Sequence, residues 1–362
     1  GSQLYTGKEI SKFFDAKGAN LSIRSSLDHL FISFTSLTEY GVELMKVMAD
    51  LCLDPSYQAD ELEKYKRRQS QKLDIELSKT EVVAYREMTA AIYGQNAPYG
   101  YNSTRSGYMS LERSKIIDFY HRNIRQGQKH IFVTGNVTDK MRSEIDAEFG
   151  NENFKPRQFE SPIDVPVISN IHQGHFDMPS AVQTSVRVFR PLFNRHHVDY
   201  SRLFLLNIIF GGYFGSRLMK NIREEKGLTY GIYASLDTLK HSGYFYISTE
   251  TSHENVKLVL KLINEEMEKL SQFPCDEEEL LMVKRYIAGQ FLRMMDGPLN
   301  VMKVYRTLAL DELPDHHYNE LLESIWSCRA EELQEISQRY LKPDHYSLIT
   351  VGKIISDPSG TA

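Results

Sequence analysis

Arg223 and Tyr230 stand seven residues apart in the run GGYFGSRLMKNIREEKGLTY, Gly211 to Tyr230. Arginine offers a rigid fork of donors and tyrosine a single hydroxyl, a combination suited to gripping a peptide carbonyl or a developing oxyanion. A plainer alternative stays open at this point: Arg223 joins an exposed charge cluster with Glu224 and Glu225, and Tyr230 fills a strand. The histidines offer less. His196-His197 and His316-His317 read as loop or surface polar residues, because a metal needs convergent ligands rather than a lone spacing. Cys52, Cys275 and Cys328 are too few and too far apart for a disulfide framework or a CxxC metal site. They read as small buried apolar residues and fit a reducing compartment, so a cytoplasmic location is expected, with the periplasm as the alternative.

The elements that must hold these residues come next. At 362 residues the chain suits two domains of roughly 150 to 200 residues each. A net charge of −5 gives no basic footprint for nucleic acid, and no apolar run approaches the roughly 20 residues needed to span a bilayer. The opening GSQLYTGKEI lacks the apolar centre of a signal peptide.

Two segments share one pattern. Gly18 to Leu37 resembles Gly227 to Glu250, with Ser26-Leu27-Asp28 on Ser235-Leu236-Asp237 at an offset of 235 − 26 = 209. Ile131 to Val137 matches Leu348 to Ile354, with Gly135 and Gly352 separated by 352 − 135 = 217. Aromatic and β-branched residues mark Leu30 to Phe34 and Tyr244 to Thr249 as strands. Apolar residues at Val42, Leu44, Met45, Val47 and Met48 mark Glu39 to Leu51 as a helix. Asp60 to Tyr93 reads as a long helix or a pair. Ser110 to Ile124 and Arg329 to Leu341 read as matching late helices, each followed by an apolar strand.

The expected architecture is therefore α+β: two homologous repeats, each a mainly antiparallel sheet with helices on one face. Residues 1–150 form the first repeat, 151–169 a linker containing three prolines, and 170–356 the second repeat, which carries Arg223 and Tyr230. The second repeat opens with a strand, Ser180 to Phe189, and an apolar helix, Tyr200 to Phe210. At the offset of 217, the first repeat's counterparts of these two elements fall before residue 1, so that repeat is expected to lack them.

With that duplication, the chain resembles the insulinase/pitrilysin family of zinc peptidases, which includes the mitochondrial processing peptidases. The resemblance covers essentially the whole sequence, and its most specific part is SRLMKNIREEKGLTY, Ser216 to Tyr230. It implies that Arg223 and Tyr230 are the pair that reaches toward substrate. It also implies a zinc site made by two His and a base Glu from an HxxEH helix, with a third ligand from a later long helix. No HxxEH occurs here; that helix would fall in the part of the repeat ahead of residue 1. Glu61-Leu62-Glu63-Lys64-Tyr65-Lys66 matches the start of the later helix, but the family's Glu pair falls on Gln71-Lys72. Gln is a poor zinc ligand and a protonated Lys has no lone pair to give. A shift of one turn would recruit Asp74 or Glu76.

The resemblance thus implies a metal-free subunit with no catalytic or metal-binding residue of its own. It would bind and orient an extended peptide for a zinc-bearing subunit of the same family, or act as a homodimer. No cofactor is expected in this chain; zinc is expected on the partner. The alternatives are an active zinc endopeptidase whose HxxEH segment is absent from this sequence, and a non-enzymatic scaffold or peptide-binding protein. Nucleic-acid and membrane partners are not expected.

Overall fold

Residues 20–35 form an antiparallel hairpin whose Leu21 and Phe34 pack against the small core of the first of two units, while Ile23 and Leu30 stay exposed. The computed structural model describes residues 1–150, 165–168 and 170–354. Strands β1 (Asn20–Ser25) and β2 (Leu30–Thr35) pair antiparallel, from Asn20 opposite Thr35 to Ser25 opposite Leu30. The helix Gly7–Asp15 starts with a reciprocal cap between Thr6 and Glu9, which satisfies two backbone donors that the helix itself cannot. Its Ile10 and Phe14 join Ala19, Leu44 and Val47 in a small core with the helix Gly41–Leu53. This unit comprises Gly1–Asp74, the described residues from Ser103 onward to 150, and Gly297–Lys303.

One expected strand does not form here. Residues 131–137 belong to no ladder, and Ile131 and Val133 are about half exposed. The reason lies in pairing. In the second unit the strand Ser347–Gly352 lies between two others, whereas among the described residues no strand lies beside 131–137. A strand with no ladder partner leaves its backbone groups to water.

The second unit is built on a five-stranded sheet. Its strands are β3 (Gln173–Asp177), β4 (Thr184–Leu192), β5 (Thr229–Thr238), β6 (Gly243–Thr251) and β7 (Ser347–Gly352), in the order β3-β7-β4-β6-β5. Only β3 and β7 run parallel; the other pairs are antiparallel. Side chains alternate across the sheet. Val186, Val188, Ile232, Ala234, Phe245 and Ile247 face five helices: Tyr200–Asn207, Val256–Gln272, Glu277–Met294, His317–Ser327 and Ala330–Tyr340. This is the largest core, and Leu203, Leu205 and Ile209 within it have no measurable exposure.

Phe189, Tyr244, Tyr246, Ile349 and Val351 point the other way, where a single helix, Thr80–Tyr93, covers them with Ala84, Met88, Ile92 and Tyr93. Buried Arg187 of β4 donates through Nη2 to the carbonyl of Glu81 at 3.2 Å, tying this helix to the sheet. The charged stretch from Asp60 is indeed a pair of helices, Ala59–Glu76 and Thr80–Tyr93. Residues 75–102, which lie within the span expected as the first repeat, group with the second unit. The apolar stripe of Thr80–Tyr93 has its complement on the back of that unit's sheet. Of the expected linker, 151–169, only residues 165–168 lie within the described residues.

Candidate functional site

Gly211 begins the site because of what it touches. A Cβ there would come within 2.6 Å of the Ala234 backbone nitrogen in β5, so only glycine lets this turn lie against the strand. The helix Tyr200–Asn207 widens into a π-type turn over Ile208–Gly212, and a second π-helical segment, Met219–Glu225, follows. Such wide turns are frequent at functional sites. Gly227, at φ 63°, takes the left-handed conformation that reverses the chain after a helix. The N–H groups of Gly227 and Leu228 donate to Arg223 O and Ile222 O, both at 3.1 Å. The chain then enters β5 with Tyr230 as its second residue.

Arg223 and Tyr230 are brought together, though not side chain to side chain. Arg223 Nε donates to the backbone carbonyl of Tyr230 at 2.9 Å. The guanidinium carbon lies 4.8 Å from the ring centre of Phe214, and Nη1 is 3.8 Å from Glu224 Oε1. The charge cluster that sequence offered as an alternative is thus a loose contact to one glutamate, while the stronger partners are a carbonyl and an aromatic face. The Tyr230 side chain is 90% exposed.

A β-bulge explains that exposure. Thr229 pairs with Thr251 and Ile232 with Thr249, so β5 carries one residue more than β6 across this step. A bulge re-aims the side chains around it. Threonine hydroxyls brace it: Thr229 Oγ1 lies 2.7 Å from Glu250 O and accepts from the Gly231 N–H at 3.1 Å. Thr249 Oγ1 lies 2.9 Å from both Thr229 Oγ1 and Gly231 O, and Thr251 Oγ1 donates to Leu228 O at 2.6 Å. β5 is also an edge strand, so among the described residues its outer row of backbone groups has no ladder partner, the geometry that accepts an added strand.

Further along the face shared with the helix Thr80–Tyr93, the hydroxyls of Tyr85 and Tyr244 lie 2.6 Å apart. Tyr244 donates to Asp237 Oδ2 at 3.2 Å, and Ser235 to Asp237 Oδ1 at 2.6 Å. Burial, then the neighbouring Tyr85 and Asp237, push the Tyr244 phenol far above its ordinary range. These tyrosines are structural acceptors and donors rather than acids at neutral pH.

On the helix Ala59–Glu76, the residues do not fit a zinc site. Glu61 pairs with Lys64 and Glu63 with Lys66, both at 2.7 Å, and Asp74 pairs with Arg105 at 2.6 Å. Gln71 and Lys72 stand where the resemblance would place the third ligand. Among the described residues, no three or more His, Cys, Asp or Glu side chains converge on one point. His196 Nε2 lies 2.8 Å from Asp311 O, and His316 Nε2 lies 3.3 Å from a Glu320 carboxylate oxygen.

Sequence reasoning passed over Phe214 and the threonine brace. The available signal was a pair of aromatics, Tyr213-Phe214, set between Gly212 and Gly215.

Residues 110–287 match the family described as peptidase M16 inactive domain. An uncharacterized zinc protease of Rickettsia felis is 23% identical over 98% of this chain and 84% of the relative. A non-peptidase homolog, YmxG, of Helicobacter pylori is also 23% identical, over 77% of this chain and 65% of the relative. The crystal structure of a peptidase M16 inactive domain from Pseudomonas fluorescens superposes with a TM-score of 0.84 at 21% identity, covering 99% of this chain and 86% of that one. The fold is the α+β fold of M16 inactive-domain proteins. The family match, the relatives and the fold all point to the insulinase/pitrilysin family of zinc peptidases, and the match over residues 110–287 is to that family's inactive domain.

Proposed function

We propose that this chain is a non-catalytic, insulinase-family subunit that binds an extended peptide and orients it for a zinc-bearing partner subunit or a second copy. Inactive-domain proteins of this family pair with other subunits, which supports looking for the metal outside this chain. The observation that carries the reading is the placement of Tyr230. Its hydroxyl is free to solvent at the head of an edge strand, while Arg223 is anchored beside it on the Tyr230 carbonyl. A peptide laid along β5 would bring its own carbonyls within reach of both side chains. Their contribution would be orientation and stabilisation of developing negative charge, typically a few kcal/mol per well-placed donor. The residues aligned with the metal helix give no zinc donor set, so zinc would reside on the partner.

The test is reconstitution with the zinc-bearing homologue from the same source. Tyr230→Phe should lower peptide turnover with assembly unchanged. Unaltered turnover removes Tyr230 from the mechanism. One tightly held zinc per chain in the isolated protein overturns the non-catalytic assignment.

A further inference from the structure

Phe214 is a large apolar side chain, 63% exposed, on a turn that is held in place. Gly211 rests against β5, and a Cβ on Gly215 would come within 2.8 Å of the Tyr213 ring. That ring packs on Tyr286 with centres 4.9 Å apart. Ser216, completely buried, closes the turn by donating its N–H to Tyr213 O at 3.1 Å. The turn is seated on the strand and helix behind it, and Phe214 is carried out to meet the Arg223 guanidinium.

Arg223 is a long side chain with many rotamers, and ordering it costs entropy. Two contacts restrict it: Nε on Tyr230 O and the guanidinium face on Phe214. Either one alone leaves rotation about the other. Together they fix the guanidinium plane, and among the described residues the Nη groups keep only the loose approach to Glu224. A pre-set donor fork loses less entropy when it meets a carbonyl.

We propose that Phe214 is a positioning residue for peptide binding, its ring holding the Arg223 guanidinium in the plane that presents the Nη donors to a peptide carbonyl. This rests on the reading that Arg223 and Tyr230 hold peptide. The role needs an aromatic face rather than apolar bulk, because the ring quadrupole attracts the cation.

The experiment measures binding of fluorescein-labelled oxidised insulin B chain, an extended peptide, to the full chain assembled with its zinc-bearing partner. Phe214→Ala and Phe214→Leu should each weaken binding about two- to fivefold, which corresponds to about 0.5–1 kcal/mol. Phe214→Tyr should bind as the parent does. In an Arg223→Ala background, Phe214→Ala should have no further effect, since the group it orients is gone. Parental affinity in Phe214→Leu, or an equal loss from Phe214→Ala in both backgrounds, overturns the positioning role and leaves the peptide site standing. Unchanged binding in Arg223→Ala removes the peptide site itself, and the positioning role goes with it.

Discussion

Arg223 Nε donates to the Tyr230 carbonyl oxygen across 2.9 Å, so the arginine side chain bonds the backbone of the very residue whose side chain it accompanies. One bond thereby links the π-helical segment to the start of β5. Lysine cannot replace it: an ammonium is a point charge without the planar fork or the stacking face. Arg223→Lys should lose about 1 kcal/mol of stability, a fall of about 2–4 °C in melting temperature for a unit of this size. Its peptide affinity should fall as far as that of Arg223→Ala. Calorimetry and binding on the same samples check both.

The bulge that turns Tyr230 outward depends on Thr249, a buried residue whose hydroxyl meets Thr229 Oγ1 and Gly231 O. Thr249→Val keeps the shape and removes the hydroxyl, so buried oxygens lose a donor at a cost of about 1–3 kcal/mol. Urea unfolding should show a lower midpoint at constant slope. Peptide affinity should fall even though Arg223 and Tyr230 are untouched.

His317 responds to pH in a definite direction. Burial, with Arg195 and His196 nearby, lowers its proton affinity from the ordinary value of 6.5, against a smaller opposing effect of Glu320 and Asp311. Its buried Nε2 has no hydrogen-bond partner among the described residues. Below about 6.5 the unfolded chain therefore takes up this proton before the folded one does, and falling pH favours unfolding. Melting temperature should drop as pH is lowered through that value, and His317→Gln should shrink the drop. A pH series of melting curves from 5 to 7.5 for both proteins decides it.

Burial pushes the Cys52 thiol up to about 11 and the Cys275 thiol to about 12, the latter helped by the Glu279 carboxylate beside it. Cys328 moves in the same direction, also through burial. With a value near 11, roughly one thiol in a thousand is ionised at pH 8, and the thiolate is the reactive form. The native protein should therefore react slowly with a disulfide-exchange chromophore at pH 8, and three thiols should appear on adding denaturant. Fast reaction of any thiol in the native state contradicts this.

Much of the framework was readable because period and punctuation agree. The aromatic and β-branched residues of Tyr244 to Thr249 mark a strand, and the real one runs Gly243–Thr251. The apolar stripe from Val42 to Met48 marks the helix Gly41–Leu53. Two things were not readable. Local pattern made a strand of Ile131 to Val137, but a strand exists only where a neighbour completes its ladder, and that neighbour is a long-range fact. The helix Thr80–Tyr93 was recognisable as a helix, yet its destination depended on an apolar surface more than eighty residues later in the chain. At the site, residue types marked Arg223 and Tyr230 as the donors worth following. The bulge and the ring beneath the guanidinium arise from register and packing, which no spacing in the sequence records.

Because Thr80–Tyr93 covers the back of the β3-β7-β4-β6-β5 sheet, severing the polypeptide anywhere in 151–169 does not yield two self-sufficient pieces. The downstream fragment would be stripped of its cover, leaving Phe189, Tyr244, Tyr246, Ile349 and Val351 bare to water. Such a sticky fragment invites aggregation. Anyone wishing to crystallise or label that portion separately should graft residues 75–102 back onto it.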